Sequence, residues 1–387
     1  MKQITALVKA HPYFSSYLLV YVLLQIGLIE HSGFQYAPAL FFLFFTPFCI
    51  VYALLSNQLV FKLEWLTLKK NIEHLEWVLL AIATSIILVH LIWLGKIPFI
   101  EAWTATKLSQ ANQIRKIASA TLPRWLLYSS TWVIRALIPV VIVMFLKKKN
   151  KLGLALSLAV GACYGLALMQ KSLVLWVMLP SIVYLFLNKK WLTAMLFFSM
   201  MAVLFLLAVY ANNPQLHGGQ NDLNKSTVQK TKTNQVSEGL LKRIFIVPGK
   251  TLSLWFEHVP KDKPFLYGRD SKIITHFTHD QVADYNLELY PIFYPAYAQQ
   301  GVKGSVNTAH FMRTYANLGW WGLTIAAILL AFFFAFLNNV HRKTQGSLAY
   351  SLQIFPLILL SSGSLFTLLF SGGWGLIIML LLVLPND

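Results

Sequence analysis

Apolar runs of eighteen or more residues recur along the whole chain, and they constrain its fold more than any other feature. Examples are "WLTAMLFFSMMAVLFLLAVY" (191–210) and "LGWWGLTIAAILLAFFFAFL" (318–337). Runs of about 20 residues match the hydrocarbon thickness of a bilayer when helical. In lipid a helix satisfies its own backbone, which an open strand cannot do. The pattern therefore predicts an all-α, polytopic transmembrane helix bundle. Ten spans are expected, at 14–30, 37–56, 77–95, 127–146, 152–169, 173–188, 191–211, 316–337, 349–370 and 373–386. Only 12% of the 387 residues are charged, half of the roughly one quarter usual in soluble domains. The first apolar run lacks a cleavage site, so the first span is expected to serve as the insertion signal.

The formal net charge of +18 would suggest a nucleic-acid partner in a soluble chain. Here its placement argues otherwise. With the N-terminus inside, segments 1–13, 57–75, 147–151, 189–190 and 338–348 hold 13 Lys and Arg, while the three short external turns hold only Lys171. This follows the positive-inside rule and predicts an N-in, C-in topology with no nucleic-acid partner. Segment 96–126 is external on this reading, yet it carries five basic residues and one acidic residue. That local violation points to an anionic ligand outside the membrane. The expected division is a bundle of seven spans over 1–211, a large external loop over 212–315, and three spans over 316–387.

Within the loop, 212–237 is polar without apolar periodicity, and 238–258 is an amphipathic segment expected to break at Pro248 and lie along the membrane boundary. Residues 285–297 are crowded with aromatics. Cys49 and Cys163 lie in apolar runs and are expected to be buried thiols. No full Gly-x-x-x-x-Gly-Lys-Ser/Thr phosphate loop is present, since Ile244 stands where the leading glycine would precede Gly249-Lys250-Thr251. "THFTHD" (275–280) has the look of solvated loop histidines, so neither a metal nor another cofactor is expected.

Candidate site residues gather near span ends. Read as one helix entering the eighth span, Asn307, His310, Arg313, Thr314 and Asn317 fall on a single face, and a polar face there must meet protein or a watery cavity. Arg135 sits inside the fourth span, where an arginine is costly unless it meets an anion or a cavity. Lys171 stands at a tight turn on the same side. Lys242 and Arg243 form a basic pair in "LLKRIFIVPGK", and arginine's planar fork suits paired phosphate oxygens.

"NTAHFMRTYANLGWWG" (307–322) resembles the segment entering a late span in Wzy-type O-antigen and oligosaccharide repeat-unit polymerases. The matching positions are Asn307, Thr308, Tyr315, Ala316, Asn317, Gly319 and Gly322. "KRIFIVPGKTLSLWFEHVPKDKPFLYGR" is similar to a second stretch of the family, ending at Gly268 and Arg269. The chain departs from the family at His310 and Arg313, where an apolar and an acidic or small residue are expected, so roles at those two positions rest on chemistry alone. The resemblance implies a glycosyltransferase architecture of the GT-C-like kind in the bacterial inner membrane, with its active site facing the periplasm. It implies transfer of a growing glycan from undecaprenyl pyrophosphate to a hydroxyl of a fresh lipid-linked repeat unit. Implied partners are the lipid-linked oligosaccharide, the bilayer and a membrane-bound chain-length regulator.

In that scheme Arg135, Lys171, Arg243 and Arg313 stabilise the departing pyrophosphate without a metal. His310 accepts the hydroxyl proton, with Glu257 or His258 in reserve. Asn307, Thr308, Tyr315, Asn317 and Arg269 hold the glycan or support the site. Two other readings compete: an O-antigen ligase delivering glycan to lipid A-core, and a flippase or transporter of the lipid-linked unit.

Overall fold

A computed structural model describes residues 10–58, 74–103, 110, 113–114, 122–169, 171–211, 246–299, 301, 304–344 and 346–383. Among these the chain is helical and contains no strand. Six helices are long and apolar enough to cross a membrane. They are α1 (Pro12–Ser32), α2 (Ala37–Ser56), α3 (Leu75–Leu94), α5 (Arg124–Lys148), α8 (Trp191–Tyr210) and α12 (Trp320–Lys343). Between them lie α4 (Pro98–Trp103), α6 (Lys151–Ala167), α7 (Lys171–Leu187), α9 (Val247–His258), α10 (Lys272–Thr278) and α11 (Met312–Leu318). The chain closes with α13 (Gly346–Leu359), α14 (Leu365–Phe370) and α15 (Trp374–Val383).

Each of the six long helices coincides with an expected span. The other four expected spans are occupied by apolar helices of 10–17 residues. The ninth differs most. Instead of one helix over 349–370, α13 ends at Leu359 and a non-helical stretch precedes α14. Pro356 lies inside α13, and "SSGS" (361–364) follows it. A proline without an N–H and a serine-glycine run together end the ladder of hydrogen bonds.

Proline also shapes α2 and α5. Each contains one widened π-turn, Phe41–Phe45 and Val133–Leu137, and each π-turn is followed two residues later by a proline, Pro47 and Pro139. A proline ring crowds the carbonyl four residues back and offers it no N–H, so the turn opens. In α2 the carbonyl released at Leu43 is recovered by the Thr324 hydroxyl, 2.9 Å away.

The chain forms two compact units. The first combines Met1–Phe61, Val228–Asn339 and Leu357–Thr367; the second combines Lys62–Thr227, Val340–Pro356 and Leu368–Asp387. Sequence order suggested cuts near 211 and 315. The units instead join the first two long helices to the segment preceding α12, and α3 to α8 with α15.

In the first unit α9 packs on α1 through a glycine pair. A Cβ on Gly249 would lie 2.3 Å from the Gly27 carbonyl carbon, so the two backbones touch. Residues 238–245 lie outside the described residues, so the amphipathic segment is seen only from 246. Pro248 occupies the first turn of α9, where its missing N–H has no cost, and starts the helix where a break was expected.

Candidate functional site

The first unit has two aromatic ends. Tyr36, Phe256, Tyr315 and Trp320 stack at one end of α12, with centroids 4.8 to 5.6 Å apart. At the other end His11, Tyr52 and Asn338 share hydrogen bonds, with His11 Nδ1 2.9 Å from the Tyr52 hydroxyl. Eighteen residues of α12 separate the two layers, about 27 Å at helical rise.

The polar segment over 307–317 does not form one helical face. Residues 304–309 are non-helical, 310–311 turn, and α11 begins at Met312. The face expected to align Asn307 and His310 with Arg313, Thr314 and Asn317 is therefore absent. The segment descends into the unit and α11 brings the chain back to Gly319. His310 is buried: its Nε2 lies 2.8 Å from the Tyr17 hydroxyl, and the rings of Phe44 and Phe311 flank it. Its backbone N–H donates to the Leu360 carbonyl at 2.9 Å, an acceptor in the non-helical stretch after α13. Tyr17 is six residues along α1 from His11, and His310 precedes Tyr315 of the Trp320 layer by five residues, so His310 lies between the two ends. An imidazole held this way anchors the descending segment.

Arg313 is half-exposed and paired through Nε with Asp270. Asn317 Oδ1 accepts from the Gly268 N–H at 2.6 Å, and its Nδ2 donates to the Arg313 carbonyl at 2.8 Å. The Tyr315 hydroxyl donates to the Val259 carbonyl at 2.9 Å, and the Leu266 N–H donates to the Ala316 carbonyl at 2.7 Å. Arg269 folds back on the carbonyls of Leu266 and Phe265, 3.2 Å from each. Together these bonds clasp 259–271 to α11. Tyr315, Asn317 and Arg269 thus hold backbone in place.

Asn307 is exposed. Thr308 is buried, and its hydroxyl has no hydrogen-bond partner. Glu257 is half-buried. Its Oε1 accepts from the Ser253 hydroxyl at 2.7 Å, and its charge helps burial to raise the Tyr36 phenol above the ordinary tyrosine range. His258 is engaged by Asp262.

In the second unit, Arg135 lies at the centre of the π-turn of α5, eleven residues from the helix start. Its guanidinium carbon stands 5.4 Å from the centroid of Trp176 on α7. Its Nε is buried and unpartnered. A cation–π contact contributes about 2 kcal/mol when desolvated, which leaves the buried N–H uncompensated. Pro139 and Pro180 each stand four residues after one member of this pair, so neither Arg135 nor Trp176 has the usual i+4 donor for its carbonyl. Gly373, with φ of 85°, brings the stretch before α15 against the π-turn: a Cβ there would lie 3.5 Å from that of Arg135. Lys171 is the first residue of α7, five residues before Trp176, so its backbone stands at the same end of α7 as the arginine contact.

The expected cations are therefore distributed. Arg135 and Lys171 belong to the second unit, Arg313 belongs to the first, and Lys242 and Arg243 lie outside the described residues. Cys49 is half-buried and Cys163 exposed. Cys163 faces outward from an apolar helix, where a thiol was expected to be buried. Among the described residues no group of three His, Cys, Asp or Glu side chains could hold a metal ion.

These features describe an all-helical chain with six helices long and apolar enough to cross a membrane, one of which carries Arg135 with its buried Nε unpartnered. Comparison with family models, curated proteins and solved structures finds no match.

Proposed function

We propose that the chain is a membrane transferase that takes a glycan from a polyprenyl pyrophosphate and joins it to a lipid-linked acceptor, as a repeat-unit polymerase does. The observation that carries this reading is Arg135: a guanidinium set within a spanning helix, with a buried donor left open. Such a group is retained at membrane depth when it meets an anion or lines a cavity. A diphosphate on an isoprenoid tail is an anion delivered at that depth. When the glycosyl bond breaks, negative charge grows on the departing oxygen, and a preorganised cation stabilises it without reorganisation.

Of the proton acceptors expected in the first unit, Glu257 has only one of its oxygens engaged. In the same unit His310 and Arg313 hold backbone in place, because their polar atoms are bonded to Tyr17 and Asp270. On this proposal the chain sits in the bacterial inner membrane with its site toward the periplasm, consistent with the basic residues on the segments expected inside.

A transporter of the lipid-linked unit is the second reading. It is favoured by the midway position of Arg135 in α5 and by the interrupted course of α13 and α14, since broken helices line substrate sites in transporters. One experiment separates the two. Purified protein in vesicles is given synthetic lipid-linked repeat units with no ion gradient, and products are resolved by size. Elongation that Arg135→Gln removes supports the transferase. Outward movement of the unit without elongation supports the transporter and overturns the proposal.

A further inference from the structure

Three helices of the second unit can be placed on a common scale. Lys148 Nζ meets the buried Glu76 Oε2 at 2.7 Å, which ties the end of α5 to the start of α3. α6 begins beside the same point, with the Asn150 side chain capping it by accepting from the Gly153 N–H at 2.9 Å. Counting from this anchor, His90 is fourteen residues along α3, Arg135 thirteen residues along α5, and Tyr164 thirteen residues along α6. At helical rise all three lie about 20 Å from the ion pair. They therefore occupy one level of the unit, and α3 and α6 both pack against the π-turn that carries Arg135.

His90 and Tyr164 are buried and hydrogen-bonded to each other through Nδ1 and the phenol oxygen. The imidazole Nε2 has no partner and is buried. When the Tyr164 phenol donates to Nδ1, the ring proton sits on Nε2. The level then holds two buried N–H donors without acceptors, Arg135 Nε and His90 Nε2. Buried donors in native interiors are paired, and two open at one level call for an oxygen-rich acceptor. Glu76 lies about 20 Å away at the anchor and is already bonded to Lys148.

We infer that His90, held in its Nε2–H form by Tyr164, is a second anion-binding residue that acts beside Arg135 on the same phosphoryl oxygens. This inference rests on the reading of Arg135 as the pyrophosphate site. Arg135 supplies charge. His90 supplies a neutral donor that fixes the headgroup's orientation without adding a second cation to the interior.

The test is binding of radiolabelled farnesyl pyrophosphate to the full chain in lipid nanodiscs. A hydrogen bond to a charged group changes affinity by about ten-fold or more when it is removed. His90→Ala is expected to weaken binding by that factor. His90→Gln, which keeps an N–H near the Nε2 position, is expected to stay within about three-fold of the unaltered chain. Tyr164→Phe, which frees the tautomer, is expected to fall between them. Thermal unfolding of each variant is measured alongside; if His90→Ala does not fold, the contrast between His90→Gln and Tyr164→Phe decides. Equal affinity in all His90 and Tyr164 variants, with binding lost in Arg135→Gln, overturns the inference and leaves the pyrophosphate site standing. Equal affinity in Arg135→Gln as well overturns that reading itself.

Discussion

Gly249→Ala is a severe test of how the first unit is packed. A Cβ at this position would stand 2.3, 2.4 and 2.5 Å from the carbonyl carbon and Cα of Gly27 and the nitrogen of Leu28. All three are backbone atoms of α1 and cannot rotate aside. Restoring an ordinary contact requires α9 to withdraw by about 1 Å, and overpacking of this kind costs roughly 1–3 kcal/mol. The same shift would move Phe256 away from Tyr36 and displace Glu257, which is carried on the same helix. Gly165→Ala in α6 is the control. Its nearest neighbour would be the Leu173 Cβ at 3.7 Å, so the substitution should be neutral or stabilise by roughly 0.5–1 kcal/mol through reduced chain entropy. Unfolding in matched detergent micelles, followed by heat and by denaturant, gives both values. If Gly249→Ala proves as stable as the unaltered protein, the close approach of α1 and α9 is wrong, and with it the position of Glu257.

Other expectations follow from the ion pairs and the clasp. Lys148→Ala strands the buried Glu76 carboxylate and should cost about 3–5 kcal/mol; adding Glu76→Gln should recover most of the loss in the same unfolding assay. Arg313→Ala breaks a half-exposed pair and should cost no more than about 1 kcal/mol, with the reversed pair Arg313→Asp, Asp270→Arg restoring stability. Asn317→Ala removes the acceptor of the Gly268 N–H, a loss of about 1 kcal/mol, and should speed proteolytic cleavage within 266–271. Tyr17→Phe leaves the buried His310 Nε2 unpartnered, and a double-mutant cycle with His310→Leu should return a coupling of about 0.6–1.7 kcal/mol, as such pairs do within membranes.

The helices were legible because lipid allows so few alternatives. Apolar runs of span length led directly to α1, α2, α3, α5, α8 and α12, with ends displaced by only a few residues. The course of 304–311 was not legible. Nothing between Asn307 and Met312 breaks helical periodicity, and the bonds that pull the segment inward come from Tyr17 and Leu360, 293 and 50 positions away in the chain. Local pattern carries no trace of such partners. The interruption after α13 could have been read from Pro356 with "SSGS", and the two π-turns from Pro47 and Pro139, since each proline disables a specific carbonyl. Arg135 was recognisable from its charge in an apolar run. Its contact with Trp176 was not, although Pro180 marked that stretch of α7. His90 and Tyr164 looked like ordinary polar residues in helices; only their common level with Arg135 gives them meaning.

The central claim is that the Arg135 guanidinium receives a diphosphate inside the membrane. Phosphorus NMR of farnesyl pyrophosphate, titrated with the protein in nanodiscs, reports on that contact. The account predicts that both phosphorus resonances shift or broaden with the unaltered chain and remain at their free positions with Arg135→Gln. Identical titrations for the two proteins would contradict it.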